Sequence, residues 1–235
     1  MPKRYWYIIF IYLAAQLSGA IVIPFIGFID VDPTALVVGW LVISLTIGLF
    51  FILYLLRDEM KQGMERGPGI GSIILWCIIG FFLAYFAQFA SIMFETHVLN
   101  IKPGSENTME LMKVARAAPI FILVITVIAP ILEEIIFRKI IFGSIYKRTN
   151  FILAALSSAF IFALIHNDLP HILTYTAVGI VFAFLYVQTK RIIVPIIAHM
   201  MINSLAVLGQ YHLDPEELEK MLEEFEKIQM IIIGG

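Results

Sequence analysis

Three apolar stretches of this chain each carry polar side chains that hydrocarbon does not tolerate unpaired. Ala129-Pro130-Ile131-Leu132-Glu133-Glu134-Ile135-Ile136-Phe137-Arg138 holds two adjacent carboxylates and a guanidinium. Phe162-Ala163-Leu164-Ile165-His166 ends in an imidazole, and His199-Met200-Met201-Ile202-Asn203 pairs an imidazole with a carboxamide. On an α-helix Glu134 and Arg138 share a face and suit an ion pair, while Glu133 is turned about 100° away and is the freer carboxylate. A carboxylate in a partly dry cavity can act as general base, and His166 is a second group able to handle a proton. His199 and Asn203, at i and i+4, can aim two donors at one oxygen. Together these are the parts of a water-activating hydrolase.

Each cluster also has a plain structural reading: an internal salt-bridge network, an interfacial histidine and an interhelical hydrogen bond. Two other function classes use the same residue types. A proton-coupled transporter would place Glu, His and Arg in the bundle interior, and would show matching broken helices in two halves. A non-catalytic immunity or adaptor protein would tolerate loss of Glu133. No serine sits in a G-x-S-x-G turn and no H-E-x-x-H occurs, so the common nucleophile and zincin signatures are missing.

The elements that must position these groups are transmembrane helices. Of 235 residues, 60% are hydrophobic and 14% charged, too apolar for a soluble domain. Seven apolar stretches are bounded by charges and turn residues, at about 5–29, 34–56, 70–94, 112–146, 151–166, 171–189 and 192–212. The expected fold is an all-α polytopic transmembrane bundle of about seven spans. The fourth stretch exceeds one perpendicular span, and Pro130 in its middle is expected to kink or split it. Residues 213–235 read as a C-terminal amphipathic helix, started by Asp214 and Pro215, with Leu218, Met221, Leu222, Phe225 and Ile228 on one face. The organisation is therefore N-terminal helices over 1–111, a core over 112–212 and a tail over 213–235.

Basic residues set the orientation. With the N-terminus in the cytoplasm, that side carries Lys3, Arg4, Arg57, Lys61, Arg66, Arg138, Lys139, Lys147, Arg148, Lys190 and Arg191, 11 of the 16. The other side keeps Lys102, Lys113, Arg116, Lys220 and Lys227. At about 1.5 Å per residue, Glu133 lies about 21 Å from Lys147 and His166 about 27 Å from Arg148, so the two meet at similar depth. His199, much closer to Arg191, requires a tilted or deeper-starting helix. No basic patch suits nucleic acid, and the single cysteine, Cys77, excludes both an intrachain disulfide and a thiolate zinc site.

Taken in order, the three clusters match E-E-x-x-x-R, F-x-x-x-H and H-x-x-x-N, and over roughly residues 112–210 the chain resembles the CAAX prenyl protease and bacteriocin-processing (Abi) family of intramembrane endopeptidases. The resemblance implies that Glu133 activates the attacking water with His166, that His199 and Asn203 form the oxyanion hole, and that Glu134, Arg138 and Phe162 support them. It implies no cofactor; zinc held by Glu133, His166 and His199 is the alternative from the family's earlier description as metalloproteases. Expected partners are a peptide or lipidated (CAAX-type) protein substrate and membrane lipid, in the plasma membrane of a prokaryote.

Overall fold

The computed structural model describes residues 1–28, 30–66, 68–211 and 220, and among these the chain is helical with no strand. Helix α1 (Lys3–Leu17) continues through short turns at Gly19–Val22 and Ile23–Phe25. It is followed by α2 (Pro33–Arg66), α3 (Ile70–His97) and the amphipathic α4 (Glu106–Ala117). A composite helix α5 then runs over residues 121–146, before α6 (Phe151–Ile165), α7 (Ile172–Thr189) and α8 (Ile193–Gln210). The expected C-terminal amphipathic helix lies outside the described residues.

Among the described residues, five segments are long and apolar enough to cross a membrane: Lys3–Phe25, Pro33–Lys61, Ile70–His97, Leu169–Thr189 and Ile193–Gln210. Large apolar side chains such as Phe10, Phe50, Ile70 and Phe86 point outward, as lipid-facing residues do. The chain is a helical membrane protein. Asn150 caps α6 by accepting from the Leu153 N–H, and Ser105 caps α4 by accepting from the Thr108 N–H.

The fourth apolar stretch divides, but not at Pro130. The break falls at Ala118–Ile120, around Pro119, separating α4 from α5. Pro130 is instead carried inside α5, because the preceding turn, Val124–Ile128, is a π-helix whose bonds run five residues back. The Ala129 N–H reaches the Val124 carbonyl. The next carbonyl in that register, Ile125 O, would take the N–H of residue 130, which proline lacks. A second π-helical segment, Glu134–Phe142, follows after the α-helical turn Ala129–Glu133.

Helix α7 sits at the centre, packed against α3 and α6, with α8 against α3 and α1 against α2. At the end of α5 nearer Lys147, Glu59 of α2 bonds Lys139 Nζ at 2.9 Å, accepts from the Tyr5 hydroxyl at 2.9 Å and pairs with Arg4. This cluster ties α1 and α2 to α5. Between α7 and α8 Lys190 takes a left-handed conformation (φ 54°) that turns the chain sharply, with Val194 fully buried and Thr189 nearly so beside the turn.

Candidate active site

The two adjacent glutamates meet one histidine. Glu134 is completely buried, and its Oε1 lies 3.0 Å from His199 Nδ1 and 3.2 Å from Arg138 Nη1. Beside the guanidinium this group is a carboxylate and can only accept, so Nδ1 carries the proton. The opposite ring nitrogen, Nε2, stands 3.8 Å from Glu133 Oε2, whose side chain is 13% exposed. Glu133 is thus the carboxylate that reaches open space, and Glu134 the one that sets the ring.

Arg138 is 1% exposed. Its guanidinium lies 4.4 Å from the centre of the Phe162 ring and 5.2 Å from that of Phe182, so aromatic faces take the place of water around the cation. Space for it is narrow. A Cβ added at Gly179 would stand 2.8 Å from Ala159 Cβ and 3.2 Å from Arg138 Nη2. The Phe137 carbonyl also accepts from Ser158 Oγ at 2.6 Å, fastening α5 to α6.

Phe162 joins the second cluster to the others. Its ring packs edge-on against His166 (4.5 Å between centres) and His199 (6.0 Å), while its carbonyl lies 2.8 Å from His166 Nδ1. A carbonyl only accepts, so His166 donates through Nδ1 and leaves Nε2 as an acceptor when the ring is neutral. Tyr175 of α7 lies against the other side of the His166 ring at 4.3 Å, and its hydroxyl is held by Ser105 Oγ (3.0 Å) and Asn107 Nδ2 (3.3 Å). Phe182 stacks on His199 at 4.9 Å.

Asn203 donates from Nδ2 to Ile125 O at 3.0 Å, the carbonyl orphaned by Pro130. One N–H of its amide remains for another acceptor. Glu133, His166, His199 and Asn203 all line a single cavity of about 820 Å³, with Phe162 and Tyr175 in its wall. Glu134 and Arg138 lie behind that wall. Among the described residues, no group of three or more histidine, cysteine or acidic side chains is placed to hold a metal ion; His166 and His199 each hold Nδ1 against a protein acceptor.

A second polar cluster is one that the sequence pattern does not announce. Glu95 is fully buried near the end of α3 and accepts from the Thr174 N–H (3.0 Å), the Thr174 hydroxyl (2.8 Å) and His171 Nδ1 (3.0 Å), capping the start of α7 from a different helix. His171 Nε2 lies 3.0 Å from Gly104 O, and Ser105 Oγ donates to Asp168 at 2.6 Å. These bonds fasten the α3–α4 connection and the start of α7 beside His166. The signal in the sequence is weak: Glu95 stands at the edge of an apolar run, where an acidic residue usually meets the headgroups.

The family model for type II CAAX prenyl endopeptidases of the Rce1-like kind matches residues 115–205, which contain all three motifs. The chain is 44% identical over 245 residues to YdiL of Bacillus subtilis (strain 168), a protein named as a membrane peptidase, across 100% of this chain and 99% of that one. It is 33% identical over 237 residues to MroQ of Staphylococcus aureus (strain USA300), named as a membrane-embedded CAAX protease, across 96% of each. No solved structure matches significantly.

Proposed function

The chain belongs to the Rce1-like family of type II CAAX prenyl endopeptidases, and from that premise we propose that it hydrolyses peptide bonds inside the membrane with a water held between Glu133 and His166. The supporting observation is the shared cavity, in which Glu133 is the one exposed carboxylate and His166 has its donor nitrogen already occupied. A water between a carboxylate and the His166 Nε2 lone pair gives one proton to each and turns its own lone pair outward.

Attack on the scissile carbonyl forms the C–O bond as Glu133 takes one of the water's protons. The oxyanion is met by the remaining Asn203 N–H and by the His199 ring that Glu134 holds through Nδ1. Collapse breaks the C–N bond, and Glu133 returns its proton to the leaving amine. No step requires a cofactor. The substrate is a peptide or lipidated protein held at the membrane, and the protein sits in a prokaryotic plasma membrane with its N-terminus in the cytoplasm, as its basic residues favour.

The test is cleavage of a fluorogenic prenylated CAAX peptide and a panel of leader peptides by detergent-purified wild type and Glu133→Ala, with and without a zinc chelator. Turnover that vanishes in the variant and survives the chelator supports the proposal. Turnover that persists in Glu133→Ala sinks it, and loss to the chelator sinks the metal-free mechanism.

A further inference from the structure

We propose that Gln88 of α3 binds the main chain of the substrate, pairing through its carboxamide with the peptide group one or two residues from the scissile bond. This rests on reading the cavity around Glu133 as the catalytic one. Gln88 lies outside residues 115–205, so none of the three motifs includes it.

The position of Gln88 on its helix is unusual for its chemistry. The buried residues of α3 are Cys77, Gly80, Ala84, Ser91 and Glu95, a stripe at helical spacing that faces α7 and α8. Gln88 falls on the same stripe, four residues after Ala84 and three before Ser91. No charged residue stands between Phe82 and Phe94. A carboxamide therefore sits on the inward face of a membrane helix, where an apolar or small side chain would pack.

It is not spent on the protein. Asn107, His171, Thr174 and Asn203, which line the same cavity, each hydrogen-bond to a protein group. Gln88 lines the cavity half-buried, and its side chain makes no hydrogen bond among the described residues. Hydrocarbon leaves the donors and acceptor of such a group unsatisfied, so Gln88 faces water or a polar ligand.

The register of α3 against α8 places it close to the reacting groups. Both helices start at one end of the bundle, where Arg191 Nη2 donates to the Pro68 carbonyl at 3.2 Å, so they run in the same direction. They touch at Gly80, where an added Cβ would lie 3.3 Å from Ala198 Cβ and 2.6 Å from Leu185 Cδ1. From that level Asn203 is five residues further along α8, and Gln88 eight residues further along α3. The difference of three residues is about 4.5 Å along the axis. An extended peptide advances about 3.3 Å per residue, so a chain whose carbonyl reaches Asn203 brings its first or second neighbour to Gln88.

A primary carboxamide matches what that neighbour offers. It donates from Nε2 to the peptide carbonyl and accepts at Oε1 from the peptide N–H. Such pairing holds the chain extended whatever its side chains are.

The experiment is binding of a fluorescent farnesylated CAAX peptide to detergent-purified Glu133→Gln protein, with Gln88 retained or changed to Met. A series of peptides replaces each backbone amide in turn by an ester, which removes one N–H and weakens one carbonyl acceptor. With Gln88 present, an ester at one position is expected to weaken binding about 5- to 10-fold. In Gln88→Met the parent peptide binds about 10-fold more weakly, and that ester has no further effect. The thermal midpoint of Gln88→Met should equal or exceed that of the parent protein, because no protein hydrogen bond is lost. Equal binding of the parent peptide by both proteins, or ester effects of one size in both, overturns the proposal. A marked fall in the midpoint also overturns it, since the carboxamide would then be spent on the fold. Cleavage by the wild type is measured separately: a peptide bound but not cut counts against the hydrolysis and leaves the ester coupling as the measure of Gln88.

Discussion

Glu134 Oε1 stands 3.0 Å from His199 Nδ1 in a site where Glu134 is completely buried. This one contact selects the protonated ring nitrogen and turns Nε2 toward Glu133. Glu134→Gln offers an amide in place of the carboxylate, which can present N–H to the ring and disturb its protonation. The expected outcome is a kcat about 10²-fold lower or worse, with KM little changed. Steady-state kinetics on a cleaved peptide check it. An unchanged kcat would show that the Glu134 contact is structural only.

Glu133 differs from its neighbour in being reachable. Glu133→Gln removes the base without stranding a buried charge, so turnover is expected to be lost while the thermal midpoint in detergent stays within the wild-type range. A large fall in the midpoint would reassign Glu133 to the ion-pair network.

Arg138 should behave in the opposite way. Arg138→Met leaves Glu134 buried without its cation, at a cost of about 3–5 kcal/mol, and thermal unfolding should register it even where expression survives. Gly179→Ala crowds the same guanidinium from α7 and is expected to cost about 1–3 kcal/mol with a partial loss of activity. A neutral Gly179→Ala would show that α6 and α7 can separate without disturbing the arginine.

Asn203 and Pro130 are coupled through one carbonyl. Asn203→Ala orphans Ile125 O, an expected loss of about 1–3 kcal/mol. Pro130→Ala restores a backbone N–H in the right register, so the double variant should recover part of that stability. Activity should not return with it, because the second amide N–H is also gone. Recovery of both would reduce Asn203 to a capping residue.

Tyr175 tests the orientation of His166. Tyr175→Phe keeps the ring against the imidazole and should retain most of kcat, whereas Tyr175→Leu loses the ring face and should lower kcat more than it raises KM. Equal effects of the two changes would place the importance in the Ser105 and Asn107 bonds instead.

Much of the site is legible in the amino-acid sequence because spacing along a helix is itself geometry. Glu134 and Arg138 at i and i+4, Phe162 and His166, and His199 and Asn203 each share a face in almost any helical winding, so the three motifs read as pairs. The seven apolar stretches are legible for a similar reason, since hydrocarbon demands long apolar runs wherever the backbone crosses it. The fourth divides elsewhere than expected because a proline inside a helix usually breaks it, and here a π-helical turn absorbs the missing donor. Glu95 gives no such sign because its partners, His171 and Thr174, come from a helix start more than seventy residues away.

The sequence by itself determined which polar side chains are present, that the chain lies within a membrane, and which end of the bundle is rich in basic residues. Only the tertiary structure decided which glutamate lines the cavity and which ring nitrogen of His166 and of His199 meets a protein acceptor. Those outcomes depend on the depth and rotation of separate helices against one another. They are set by close packing around Arg138, the winding of α5 and the sharp turn at Lys190, none of which has a periodicity to read along the chain.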